Sequence, residues 1–271
     1  MYENRSPFGH PCGHQPGIPR GPGVRPVYQR AGRPAGHHRR DVSESQQETL
    51  DTLNTIEQLS GARVLFVPGN HDLWGPKGDP DQIGAIYSRY AQDEHCLCGR
   101  DVVLGDTVVI GDVGWYDYSF GSGRYSFEEF EKMSLAGRTW QDSLCIAWTR
   151  DNLGRTQWML SRLEARMAAY PGKKLVLVTH MLPIKEFTVP QEMANWSYFN
   201  AFLGTRRLGE LYRRYPVEVA ICGHVHYRKT LEKDGITWLC RCLNYHSEWR
   251  PEYGGDTLSQ QIAHAAEVME L

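Results

Sequence analysis

From Ser43 to Ser60 the apolar residues Leu50, Leu53, Ile56 and Leu59 recur at helical spacing, which predicts an amphipathic helix with Ser43 or Ser45 capping its start. Arg63-Val-Leu-Phe-Val-Pro68 then reads as a short buried strand that runs into Gly69-Asn70-His71-Asp72. Pro80 to Ala91 predicts a helix, and Val102 to Ile110 a strand or hairpin turning at Gly105-Asp106. Trp140 to Tyr170 predicts one or two helices, the second carrying Trp158, Leu160, Leu163 and Met167 and stopped by Pro171-Gly172. Lys174-Leu-Val-Leu-Val-Thr179 is almost continuously apolar, the mark of a strand covered on both faces, and it ends at His180. Leu208 to Tyr215 predicts a helix, and Val217 to Cys222 a strand ending at Gly223-His224-Val225-His226. Two more strands, near Lys229 to Glu232 and Ile236 to Arg241, flank a turn at Asp234-Gly235. Strands alternating with helices point to an α/β core, and no repeat at a fixed period interrupts it.

The first forty residues break this pattern. Met1 to Arg40 is dense in Gly, Pro, Arg and His, contains no Asp, and has neither helical nor strand periodicity, so residues 1–40 are expected to be an irregular or disordered basic segment. The texture changes at Asp41, and residues 41–271 have the length of one large domain. With 41% hydrophobic and 23% charged residues the composition is that of a soluble globular protein, and a net charge of -2 supplies no basic field for nucleic acid. No apolar run approaches a membrane span, and no apolar stretch follows the N-terminal charges as in a secretory signal, so a cytoplasmic location is expected. Cys96-x-Cys98 and Cys240-x-Cys242 are too tightly spaced for the usual structural zinc pairs, and all seven cysteines are expected to be reduced thiols.

The candidate chemistry lies at strand ends. Three apolar runs each finish in a small residue and then metal-capable side chains: Asn70-His71-Asp72, His180, and His224-Val225-His226. Ligands of open α/β sheets bind beyond the carboxyl ends of strands, so the three groups are placed to meet at one edge. Glycines 69 and 223 are expected to let the backbone turn sharply, and His224 and His226 to share one side if their segment stays extended. Taken singly, a strand-end histidine is more often structural than a ligand, and Asn and Asp suit turns. Three such sites in order, each rich in N and O donors, argue for a metal centre. The Gly-Asp pairs at 105–106 and 111–112 read as turn residues. The aromatics of Gly114 to Ser119 and of the loop Phe187 to Phe202 are candidate rims of a substrate pocket, with core packing as their commoner use.

Gly69-Asn70-His71-Asp72, His180 after an apolar strand, and Gly223-His224-Val225-His226, in that order, resemble the calcineurin-like metallophosphoesterase superfamily over about residues 41–245. The resemblance implies a four-layer α/β/β/α sandwich of two packed mixed sheets with flanking helices. It also implies hydrolysis of a phosphomonoester or phosphodiester, a small phosphorylated substrate, by metal-activated water. Two divalent ions, Mn, Fe or Zn, are implied. Asn70, His180 and His224 would hold one, His226 the other, and Asp41 would bridge them. His71 would act as general acid or orient the phosphate, with Asp72 fixing its tautomer.

This chain departs from that pattern at its start. No Asp-x-His precedes Asp41, and Arg40 stands where the family has glycine. A frame-shifted reading of residues 1–40 would explain both: if His37-His38-Arg39-Arg40 is encoded CAT CAT CGC CGG, reading from the second base with one base restored before the Asp codon gives Ile-Ile-Ala-Gly before Asp41. The alternative is a catalytically impaired relic of the fold that binds one metal or a partner at the same edge.

Overall fold

The computed structural model of the chain describes residues 42–75 and 80–270; residues 1–40 and Asp41, with the expectations that fall on them, lie outside this range. Helix α1 (Val42–Ser60) occupies the predicted span, so Ser43 and Ser45 lie inside it, not at its cap. Its buried face is Gln46, Thr49 and Leu53, whereas Leu59 is 84% exposed. The face is rotated from the Leu/Ile row because the Gln46 amide donates at 2.9 Å to the Ile86 carbonyl in α2 (Pro80–Gln92), which satisfies its burial.

The predicted strand at 63–68 is extended but joins no ladder. It makes one parallel bridge, Phe66 to Cys96, with Phe66 N–H donating to His95 O and Leu97 N–H to Phe66 O, both at 2.9 Å. Its pleat still sorts the side chains. Leu65 and Val67 pack with Val176, Val178, Val219 and Ile221, while Phe66 packs with Leu53, Tyr87 and Tyr90 in a separate cluster.

The main sheet has the order β1-β2-β5-β6-β8-β7. Its strands are β1 (Val102–Leu104), β2 (Thr107–Asp112), β5 (Lys174–Thr179), β6 (Val217–Cys222), β7 (Arg228–Lys233) and β8 (Ile236–Arg241). The four inner strands β2, β5, β6 and β8 run parallel, and β1 and β7 pair antiparallel at the edges. Val108, Leu175, Leu177 and Ala220 face helices α5 (Asn152–Ala168) and α7 (Arg206–Tyr212), and Val109, Val176, Val178 and Val219 face Leu65 and Val67. Burial on both faces explains the unbroken apolar run of β5. A second, two-stranded sheet, β3 (Ser134–Leu135) with β4 (Arg138–Thr139), stands between α3 (Phe127–Glu131) and α4 (Asp142–Cys145). The α/β class stands, with one six-stranded mixed sheet and flanking helices; among the described residues the other sheet is the two-stranded antiparallel β3–β4 hairpin. Helices α6 (Trp196–Phe199) and α8 (Leu258–Ala265) complete the order.

Gly105-Asp106 is the predicted turn, but Gly111-Asp112 is not one: it closes β2. A Cβ on Gly111 would lie 2.8 Å from Leu97 and Val67 and 2.9 Å from the Val178 carbonyl, and the buried Asp112 carboxylate accepts from Tyr87 Oη and Val113 N–H at 2.8 Å. Helix α7 begins at Arg206, where Thr205 Oγ1 accepts the Arg207 N–H, and stops at Tyr212 instead of continuing to Tyr215. Cys96, Cys98, Cys145, Cys222, Cys240 and Cys242 are free. Among the described residues, no helix is long and apolar enough to cross a membrane.

Candidate active site

Parallel strands β5 and β6 lie side by side and end together, which brings His180 and His224 to one edge. Backbone bonds hold that edge: His180 N–H donates to Val113 O at 3.0 Å, and Gly223 N–H donates to His180 O at 3.1 Å. His180 Nε2 lies 2.9 Å from Asn70 Oδ1 and 3.0 Å from His224 Nδ1. The other nitrogen of His224 points at the Phe202 carbonyl, 3.3 Å away, so Nε2 carries the proton and Nδ1 keeps its lone pair toward His180.

The Gly-His-x-His segment is not extended. His224 has φ +74° and His226 φ +57°, both left-handed, a conformation that L-residues adopt at a cost and that clusters at functional sites. The alternation expected of an extended segment therefore does not apply. His224 turns to His180, whereas His226 hydrogen-bonds through Nδ1 to Glu248 Oε2 at 3.0 Å.

His71 opens a short 3-10 turn, His71–Leu73, and its ring lies 3.8 Å from that of Trp74. Tyr245 Oη approaches His71 Nδ1 at 3.4 Å. Asp72 accepts the Gly69 N–H at 2.8 Å and so braces the turn. Beneath these rings sits Asp142, which is buried and which no spacing in the sequence marks. Its Oδ1 accepts from Asn70 Nδ2 at 2.8 Å and Trp74 Nε1 at 2.7 Å, and its Oδ2 from Trp140 Nε1 at 3.0 Å.

Burial dominates the electrostatics. Loss of solvent and the neighbouring imidazoles of His224 and His226 hold His71 down at about 4, although the charge of Asp142 pulls it the other way. Burial also lowers His224, to about 3, with His226 adding to the shift, and it sets His180 well below its ordinary value. These three imidazoles are therefore neutral at pH 7, the state a metal ligand requires. Burial works against the charge of His226 as well, but the hydrogen bond and charge of Glu248 outweigh it and leave His226 raised.

All of these groups line one cleft of about 800 Å³, walled by Trp74, Trp140, Trp196 and Tyr245 with Arg138 at the β3–β4 hairpin. Of the two aromatic segments, Trp196 and Val189 reach the cleft, while Trp115, Tyr116, Phe187, Phe199 and Phe202 are core. Among the described residues no three His, Cys, Asp or Glu side chains converge; the third donor beside His180 and His224 is the Asn70 amide oxygen. Donors 2.9–3.0 Å apart with neutral imidazoles fit one cation of the zinc, manganese or iron type. His226 stands in the same cleft, and Asp41, expected to bridge, lies outside the described residues.

A family model described as calcineurin-like phosphoesterase matches residues 36–228. The acyl-carrier-protein phosphodiesterase PptH of Mycobacterium tuberculosis is 25% identical over 240 residues, spanning 78% of this chain and 68% of that protein. The crystal structure of phosphopantetheinyl hydrolase PptH from the same organism aligns at a TM-score of 0.55 and 19% identity, over 72% of this chain and 74% of that one, a likeness of fold. A dimetal phosphatase from Danio rerio aligns at 14% identity over 74% of this chain and 69% of that one, with a TM-score of 0.38 too low to weigh. Since the family match spans every strand-end motif from Gly69 to His226, the chain belongs to the calcineurin-like phosphoesterases.

Proposed function

We propose that the cleft hydrolyses a phosphoester with the help of a divalent cation held by Asn70, His180 and His224. The observation that carries this reading is the approach of Asn70 Oδ1 and His224 Nδ1 to within 3.0 Å of His180 Nε2 in the cleft. Members of the family generally use divalent metals. A cation at that point would supply charge for the phosphate oxygens and a water of lowered pKa.

The remaining work falls to the chain's own groups. As a ligand, His180 would carry its proton on Nδ1, which is buried beside Gly69. His71, neutral at pH 7, offers an N–H to a phosphate oxygen, so its role in the free protein is orientation; donating a proton to the leaving oxygen needs the substrate's negative charge to raise it first. Asp72 holds the turn that carries His71. Trp74 and Tyr245 flank that imidazole and keep bulk water from it. His226 with Asp41 would hold the second ion. The cleft has room for a small phosphodiester or for the arm of a larger substrate, and the relative's activity makes a carrier-protein phosphodiester the first natural candidate.

The test uses chelator-stripped full chain, Mn2+, a chromogenic aryl phosphate, a bis-aryl phosphate and a carrier-protein diester. Turnover that falls a hundredfold or more in His71→Ala and His224→Ala, both still folded, is expected. A second reading, the metal-binding relic, is favoured by the sequence before the site, where Met1 to Arg40 contains no Asp and Arg40 stands in place of the family's glycine. One ion bound per chain with no turnover of any of the three substrates would support it instead.

A further inference from the structure

We infer that Asp142 is a positioning residue that sets the Asn70 side-chain amide so that its oxygen, not its nitrogen, faces the ligand point of His180 and His224. An amide side chain has two nearly isosteric ends, and only one of them can bind a cation. What fixes the choice here is a partner that accepts and never donates. The Asp142 carboxylate is 2% exposed and meets Asn70 Nδ2 at 2.8 Å. An ionised carboxylate has only lone pairs to offer, so the amide nitrogen must turn to it and Oδ1 falls 2.9 Å from His180 Nε2. The inference rests on the metal reading above.

The same carboxylate also fixes the walls. Trp74 donates its indole N–H to Asp142 while its ring lies under His71, and Trp140 donates to the other carboxylate oxygen while its ring meets that of His224 edge-on at 5.8 Å. Tyr116 Oη completes the set at 3.4 Å. Four donors from four places in the chain thus converge on one buried anion, and three of them belong to side chains that touch the candidate ligands or His71. A fully donated carboxylate is held stiffly, and a stiff carboxylate orients what it holds.

Asp142→Asn keeps the size but puts a donor NH2 among the donors. Asn70 can then flip, and Mn2+ binding to the chelator-stripped full chain, measured by calorimetry, should weaken tenfold to a hundredfold, as outer-shell changes typically do. Acting through Asn70, the substitution should add less than twofold in an Asn70→Ala background. A structural role alone predicts losses that multiply, and that result, or unchanged Mn2+ affinity in folded Asp142→Asn, would overturn the inference. No Mn2+ uptake by the parent chain would sink the metal reading itself. Should Asp142→Asn not fold, the metal-free parent decides: nitrogen-15 NMR should show the Asn70 side-chain NH2 shifted and slow to exchange, and a fast-exchanging, coil-like pair would refute the contact.

Discussion

A β-carbon on Gly69 would stand 2.8 Å from Cε1 and 3.0 Å from Nδ1 of His180. That is closer than real carbon contacts allow, so the glycine is required by the imidazole lying over it and not by a turn. Gly69→Ala should push His180 off the ligand point and cut turnover about tenfold or more, since sub-ångström misplacement at a reacting centre is costly. Steady-state rates on the bis-aryl phosphate check this, and wild-type turnover would refute it. The sequence motif marked Gly69 correctly, but not the imidazole whose approach requires it. At the other motif the sharp turn fell on the histidines, with φ +74° and +57°, and a pattern of residue types carries no sign of backbone handedness. Asn70, His180 and His224 were legible because strand periodicity announces where each apolar run stops. Asp142 was not, since a lone aspartate after Trp140-Gln141 looks like any surface residue until four distant donors close on it.

At the level of elements, the long ones matched their periodicity and the short ones escaped it. Strands β5 and β6 and the span of α1 follow from their apolar spacing. The two-residue strands of the β3–β4 hairpin and the four-residue α4 are too short to show a period, yet they bring Arg138, Trp140 and Asp142 to the cleft. The connection after β8 is equally silent in sequence. It folds back so that Tyr245 faces His71 and Glu248 pairs with His226. In Glu248→Gln the burial of His226 is no longer opposed by that carboxylate, so its titration midpoint should fall from above 6.5 to below it. An imidazole proton titration by NMR on the metal-free protein measures this, and an unmoved midpoint would show that Glu248 does not govern His226.

For the whole molecule, the buried imidazoles couple stability to pH. Unfolded, each protonates near 6.5; folded, His71 does so only near 4 and His224 near 3, and His180 is lowered too. Between those limits the unfolded chain binds more protons, so acid favours unfolding. His226, raised by Glu248, acts in the opposite sense, but burial lowers His264 as well, so four lowered imidazoles face one raised one. The metal-free chain should therefore lose about 5 °C or more of Tm between pH 7 and pH 5.5, and calorimetric scans showing a flat Tm would contradict this balance. The order β2-β5-β6-β8 has a further consequence for how the protein comes into being. Asn70 is made first of the three, His180 a hundred and ten residues later, and His224 only after β6, so the donor set is scattered along the order of synthesis. A nascent chain emerging from the ribosome could not complete the proposed ligand set until β6 has left the tunnel and slotted in beside β5. On the proposed metal reading, ion loading would thus follow the emergence of β6.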